Sequence, residues 1–131
     1  MFIERLNATQ RQALFDLAVM MAAADNEVSD EELQYLRDYS NSFNVEFDLN
    51  KSHLNIDDLL AVMDTKQSKI ITLQELIRIS YKDGHFSEEE RDKVFLIAQK
   101  MGVNDPELMI AIQRWVRQGF DWVHEGEQLL D

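Results

Sequence analysis

Apolar residues return every three or four positions along most of this 131-residue chain, which holds only one proline and four glycines. That spacing lines up one face of an α-helix. A chain so poor in helix breakers and turn formers folds as helices joined by short connections, and a β-rich domain is disfavoured. Leu14, Leu17, Ala18, Met21 and Ala22 set the first stripe, over about 8–24. Phe15 and Val19 widen it, which places this helix at the centre of a core. Leu33, Leu36, Tyr39 and Phe43 set a second stripe after Ser29. Residues 44–54 have no sustained period and are expected as a loop. Ile56–Met63 is expected as a short third helix capped by Asn55. Ile70, Leu73, Leu76 and Ile77 mark a fourth over 67–82, and Val94, Ile97, Ala98 and Met101 a fifth over 88–101. Asn104 or Asp105 caps a sixth, with Pro106 in its first turn, over about 106–118. A seventh short helix is expected within 120–130, so the C-terminal helices span 106–130. The expectation is an all-α domain over 1–131, a single bundle of about seven helices.

Net charge is −12, which argues against binding a phosphate backbone or an anionic membrane surface and favours cations and basic partners. With no cysteine there is no disulfide, thiolate metal site or cysteine nucleophile, which fits a cytoplasmic protein. MFIERLNATQ lacks the apolar core of a signal peptide. The longest apolar run, LAVMMAAA at 17–24, is far too short for a membrane span.

Shifted by 58 residues, ADNEVSDEE (24–32) lies on KDGHFSEEE (82–90). Asp25 meets Asp83, Ser29 meets Ser87, Glu31 meets Glu89 and Glu32 meets Glu90. Beyond the motif, Leu36 meets Val94, Phe43 meets Met101 and Val45 meets Val103. Because the apolar face is kept as well, two pseudo-repeated helix–loop–helix units are expected, over about 8–45 and 66–103. In each, S-x-x-E is a capping box that settles the first amides of the following helix. Asn26 and Gly84 take the position where a helix ends in the left-handed conformation. Asp25 and Asp83 face the negative end of the preceding helix, a cost of ~0.3–1 kcal/mol at the same place in both copies. An Asx turn offsets it locally; a bound cation would offset it electrostatically.

DNEVSDEE and DGHFSEEE, each behind an amphipathic helix, resemble the signature of the TerB-like tellurite-resistance family over about residues 8–103. Asn26, where the family pattern has Gly, is a departure. The resemblance implies an all-helical fold and a non-catalytic role in stress response, as an interaction or scaffold module with a protein partner. It implies an association with membrane complexes, which for a chain without a membrane-spanning run would be indirect. It also implies a divalent cation held by acidic residues, which fall here on Asp25, Glu32, Asp83 and Glu90.

The same loops look like half of a calcium-binding EF-hand, with Asp83 and Gly84 at the fifth and sixth places and Glu90 at the twelfth. The first and third places are Ile79 and Tyr81, and in the first copy Met21 and Ala23, which supply no carboxylate. Calcium takes six to eight oxygens, so a true EF-hand is not expected. A cation shared among the two loops needs Glu31, Glu89 or water to complete its shell; Ca²⁺ or Mg²⁺ suits all-oxygen ligands, and His85 would add a nitrogen for Zn²⁺. The plain alternative is two capped helix starts with solvated acids in a metal-free protein–protein interaction module. A metal-dependent hydrolase ranks last, because no base or nucleophile stands near the acids. Trp115, Phe120 and Trp122 crowd beside Arg114 and Arg117, residue types that anchor protein interfaces, and form the candidate partner surface.

Overall fold

The computed structural model describes residues 2–23, 30–48, 54–81 and 86–131. Within them the regular structure is all helical, with no strand. A 3-10 turn at Ile3–Arg5 precedes six α-helices: α1 Ala8–Ala23, α2 Asp30–Phe43, α3 Ile56–Ala61, α4 Lys66–Ser80, α5 Glu88–Lys100 and α6 Pro106–Gln128. The first five begin and end within two residues of the boundaries expected from periodicity. The last differs. Residues 106–118 and 120–128 form one helix of 23 residues, not two, and Gly119 lies inside it. A lone glycine costs a helix about 1 kcal/mol relative to alanine, which weakens it without breaking it. The seven expected helices are therefore six among the described residues.

The chain divides into two compact units, Met1–Thr72 and Leu73–Asp131. In the first, α1 is buried without interruption from Ala13 to Val19, as its broad stripe implies. Phe15 is fully buried, 5.4 Å from the Tyr39 ring of α2 and 5.5 Å from the Phe47 ring. The Tyr39 hydroxyl donates to the Arg11 carbonyl at 3.2 Å, so the ring that packs on α1 is also hydrogen-bonded to it. The Gln10 amide, buried at the start of α1, donates to the Val62 carbonyl at 3.1 Å and to Asp64 at 3.2 Å, tying α1 to the chain just after α3. In the second unit, Leu73, Leu76 and Ile77 of α4, Val94 and Ile97 of α5, and Met109, Ile112 and Val116 of α6 are buried.

Helix ends are settled by side chains. Before α1, the Asn7 Oδ1 accepts from the Gln10 amide at 2.8 Å and the Gln10 Oε1 accepts from the Asn7 amide at 3.0 Å. Before α4, Thr65 and Ser68 exchange the same two bonds, at 3.0 and 3.1 Å. Both are reciprocal capping boxes, and each leaves two fewer amide donors without partners. Asn55 caps α3 and Asp105 caps α6, where its Oδ1 accepts from the Glu107 and Leu108 amides. After α2, Asn44 adopts φ 51 and the Val45 amide returns to the Ser40 carbonyl at 3.2 Å. After α5, Gly102 adopts φ 79, its amide reaches the Gln99 carbonyl, and the Val103 amide returns to the Ala98 carbonyl at 2.8 Å. Each is a Schellman end, in which one left-handed residue lets the chain satisfy the last carbonyls.

Gly102→Ala puts a β-carbon on a left-handed residue. It should lower stability by about 1 kcal/mol, whereas Asn44→Gly, which removes one, should leave stability unchanged or raise it. Urea denaturation followed by circular dichroism checks the pair; equal effects of the two would contradict this account of the helix ends.

Candidate interaction surface

The acidic residues expected to bind a cation divide into two groups. Asp25, Asp83 and His85 lie outside the described residues, as does Ser29. Glu31 and Glu32 stand in the first turn of α2, and Glu89 and Glu90 in the first turn of α5. There their charge meets the positive end of the helix dipole, which stabilises each helix start by roughly 0.3–1 kcal/mol. Ser87 caps α5 as expected, its hydroxyl oxygen accepting from the Glu90 amide at 3.1 Å. The neighbouring Glu88 pairs with Arg91 at 3.7 Å. Among the described residues no three His, Asp or Glu side chains come together as a metal site would require.

The C-terminal aromatic cluster is resolved into two faces of α6. Phe120 turns to the packed side, where its ring stacks on Tyr81 at 6.0 Å, and Tyr81 in turn stacks on Phe86 at 5.2 Å. Tyr81 follows the last turn of α4 and Phe86 precedes α5, so this aromatic file fastens α6 to both. Trp115 and Trp122 lie on another face and are 37% and 76% exposed. Arg114 and Arg117 are exposed too; Arg117 sits 3.8 Å from Asp121 one turn on, a solvated pair that contributes little. Of the candidate surface residues, Phe120 thus packs within the fold, while Trp122 keeps most of its surface exposed.

Sequence reasoning missed the rest of that surface. Val123, Leu129 and Leu130 are 51%, 86% and 85% exposed, and from Arg117 to the end of α6 every residue but Phe120 is exposed. A β-carbon added at Gly119 or Gly126 would meet nothing within 4 Å, so the space above both glycines is open. The signal was present as a seven-residue spacing: Leu108, Trp115, Trp122 and Leu129 recur at that interval and share one side of a helix, drifting only ~20° per step. The inner turns of α6 bury Met109, Ile112 and Val116. The outer turns carry fewer apolar residues, and Trp122 and Val123 among them are exposed.

A second concavity was not visible in the sequence. A shallow groove of about 440 Å³ lies between α1 and α3, lined by Ala8, Ala13, Leu59 and Val62 and bordered by Asp16 and Asp58. Gln12 is held at its side by Glu46, whose amide donates to it at 2.8 Å, and donates to Asp16 at 3.0 Å. Its apolar floor is small and its acids are of one sign. No described helix is long and apolar enough to cross a membrane. Searches of protein-family models, curated proteins and solved structures find no match to this chain.

Proposed function

We propose that this chain is a non-enzymatic, TerB-like interaction module that serves as a scaffold in a cytoplasmic stress-response or resistance assembly. The observation that carries the interaction role is the outer end of α6, where Trp122, Val123, Leu129 and Leu130 are more than half exposed on a helix already fastened through Phe120. Exposed Trp beside Arg is the composition of an interface anchor, and a contiguous apolar face on a charged protein marks a contact surface.

The family reading needs a duplicated unit, and the positions of the caps support one. The Asn7/Gln10 and Thr65/Ser68 capping boxes stand 58 residues apart, as do the left-handed Asn44 and Gly102. The starts of α1 and α4 and of α2 and α5 keep the same interval. Duplication of an ancestral helix–loop–helix unit accounts for four correspondences that hydrophobic spacing alone does not require.

A photo-activated cross-linker in place of Gln118, beside the tryptophans, should give a covalent adduct with a protein in living cells. The same group in place of Arg37 on α2 should not. Adducts from neither position, or equally from both, would remove the case for this surface.

A divalent cation at Asp25 and Asp83 is a separate proposal, motivated by two aspartates at matching positions of the sequence repeat, where a carboxylate is expected to meet the negative end of a helix. Adding Ca²⁺, Mg²⁺, Mn²⁺ or Zn²⁺ should shift amide resonances confined to 25–32 and 83–90, and Asp25→Asn with Asp83→Asn should abolish the shifts. No localised response at about 1 mM ion, the weak end of biological calcium sites, would end the cation reading.

A further inference from the structure

At the outer end of α6, Trp122 and Val123 stand four and three residues before Gly126, and Leu129 and Leu130 three and four residues after it. Residues at that spacing share one face of a helix. Leu129 keeps helical dihedrals, φ −70 and ψ −18, so the face continues past Gln128. Every residue of it is exposed. Gly126 leaves the middle of the face low, with nothing within 4 Å of where a side chain would begin. The face is an apolar stripe about 12 Å long, open along its whole length.

The charges beside the stripe are of one sign. Glu125 and Glu127 are the chain neighbours of Gly126, so they stand ~100° to either side of it, and both are exposed. Asp121 lies one turn before Glu125 on the same flank. From Arg117 to Asp131 the four acids Asp121, Glu125, Glu127 and Asp131 stand against the one base, Arg117. That base is 3.8 Å from Asp121, so its charge is matched there. His124 lies 3.3 Å from Gln128. Arg114 is about 16 Å back along the axis from Glu125. Glu125 and Glu127 also sit in the last turn of α6, which holds no basic residue and where the helix dipole is already negative. Two unfavourable features therefore coincide: apolar surface in water, and carboxylates at the wrong end of a helix. One kind of occupant relieves both.

We propose that the outer end of α6 docks a basic amphipathic helix of a partner protein. The partner's apolar residues lie on Trp122, Val123, Leu129 and Leu130, and its lysines or arginines reach Glu125 on one side and Glu127 on the other. The proposal rests on the reading of α6 as an interaction surface and adds the chemistry of the occupant. Trp122 is 76% exposed, and Glu125, three residues on, is its neighbour on the helix surface. A cation set between them meets the ring face and the carboxylate together. An acidic partner is repelled by both flanks and by the net charge of −12. A second copy of this chain brings the same acidic flanks to the contact. The stripe is short, so the complex is a dynamic one, with Kd on the order of 100 μM.

Three synthetic peptides of about 14 residues, four helical turns, test this on the full chain by amide resonance shifts. The first has a leucine face flanked by lysines. The second has glutamate in place of each lysine. The third is the lysine peptide reordered so that its leucines share no face. The lysine-flanked peptide should shift the amides of 119–130, with Kd on the order of 100 μM. The other two should bind at least about tenfold more weakly, and added salt should weaken the first. Trp122→Ala should weaken it at least about tenfold. Glu125→Lys with Glu127→Lys should turn the preference toward the glutamate peptide. Equal binding of the lysine and glutamate peptides, equal binding of the ordered and reordered ones, shifts centred elsewhere, or a preference that survives the charge reversal overturns the proposal. Shifts of 119–130 that appear on concentrating the chain alone overturn it too, in favour of a second copy. If no peptide binds at about 1 mM while the Gln118 cross-linker still captures a protein, the surface stands and the basic occupant falls. If no peptide binds and nothing is captured, both fall.

Discussion

A helix leaves its first four amides and last four carbonyls without partners inside the helix. Where this chain settles those groups decides where its helices start and stop. Asn7 with Gln10 and Thr65 with Ser68 fix the starts of α1 and α4 by reciprocal bonds of 2.8–3.1 Å. Ser87 and Asp105 fix the starts of α5 and α6. Asn44 and Gly102 turn the chain out of α2 and α5 in the left-handed conformation. The apolar stripes can be buried only because these caps hold each helix in the register that aims its stripe inward. Loss of one would cost on the order of 1 kcal/mol directly, and more if the register slips.

The same logic isolates the outer half of α6 as the part of the fold that its own caps and core do not explain. The inner turns bury Met109, Ile112 and Val116, and Phe120 closes that contact against Tyr81. Beyond Phe120 the helix gains no burial and carries Gly126 in addition to Gly119. Short isolated helices are marginal in water, and glycines make them more so. A helical extension that is intrinsically weak and holds Trp122 and Val123 in the open is in balance when another surface covers it.

The helices were legible because period and punctuation agree: a 3.6-residue stripe between a capping residue and a left-handed terminator can be read without knowing what packs against it. The one misreading, a break near Gly119, came from treating glycine as a stop when it was only a weak link. The capping boxes at 7–10 and 65–68 went unread because Asn with Gln and Thr with Ser are less familiar pairs than Ser with Glu, though their chemistry is the same. The acidic motif was conspicuous, yet Glu31, Glu32, Glu89 and Glu90 prove to occupy helix first turns, where carboxylates have a structural reason to be. The tryptophan surface was only half legible. Residue type marked the cluster, but which ring turns inward depends on Tyr81 and Phe86, remote in sequence and invisible to a local pattern.

Hydrogen–deuterium exchange along α6 tests the central claim most directly. Amides of 121–128 should exchange fast, while those of 109–116, on the turns that bury Met109, Ile112 and Val116, should exchange slowly. Exchange that is equally slow in both segments would mean that the outer helix is held by the chain alone. That result would contradict the claim that the outer end of α6 is left open for a partner.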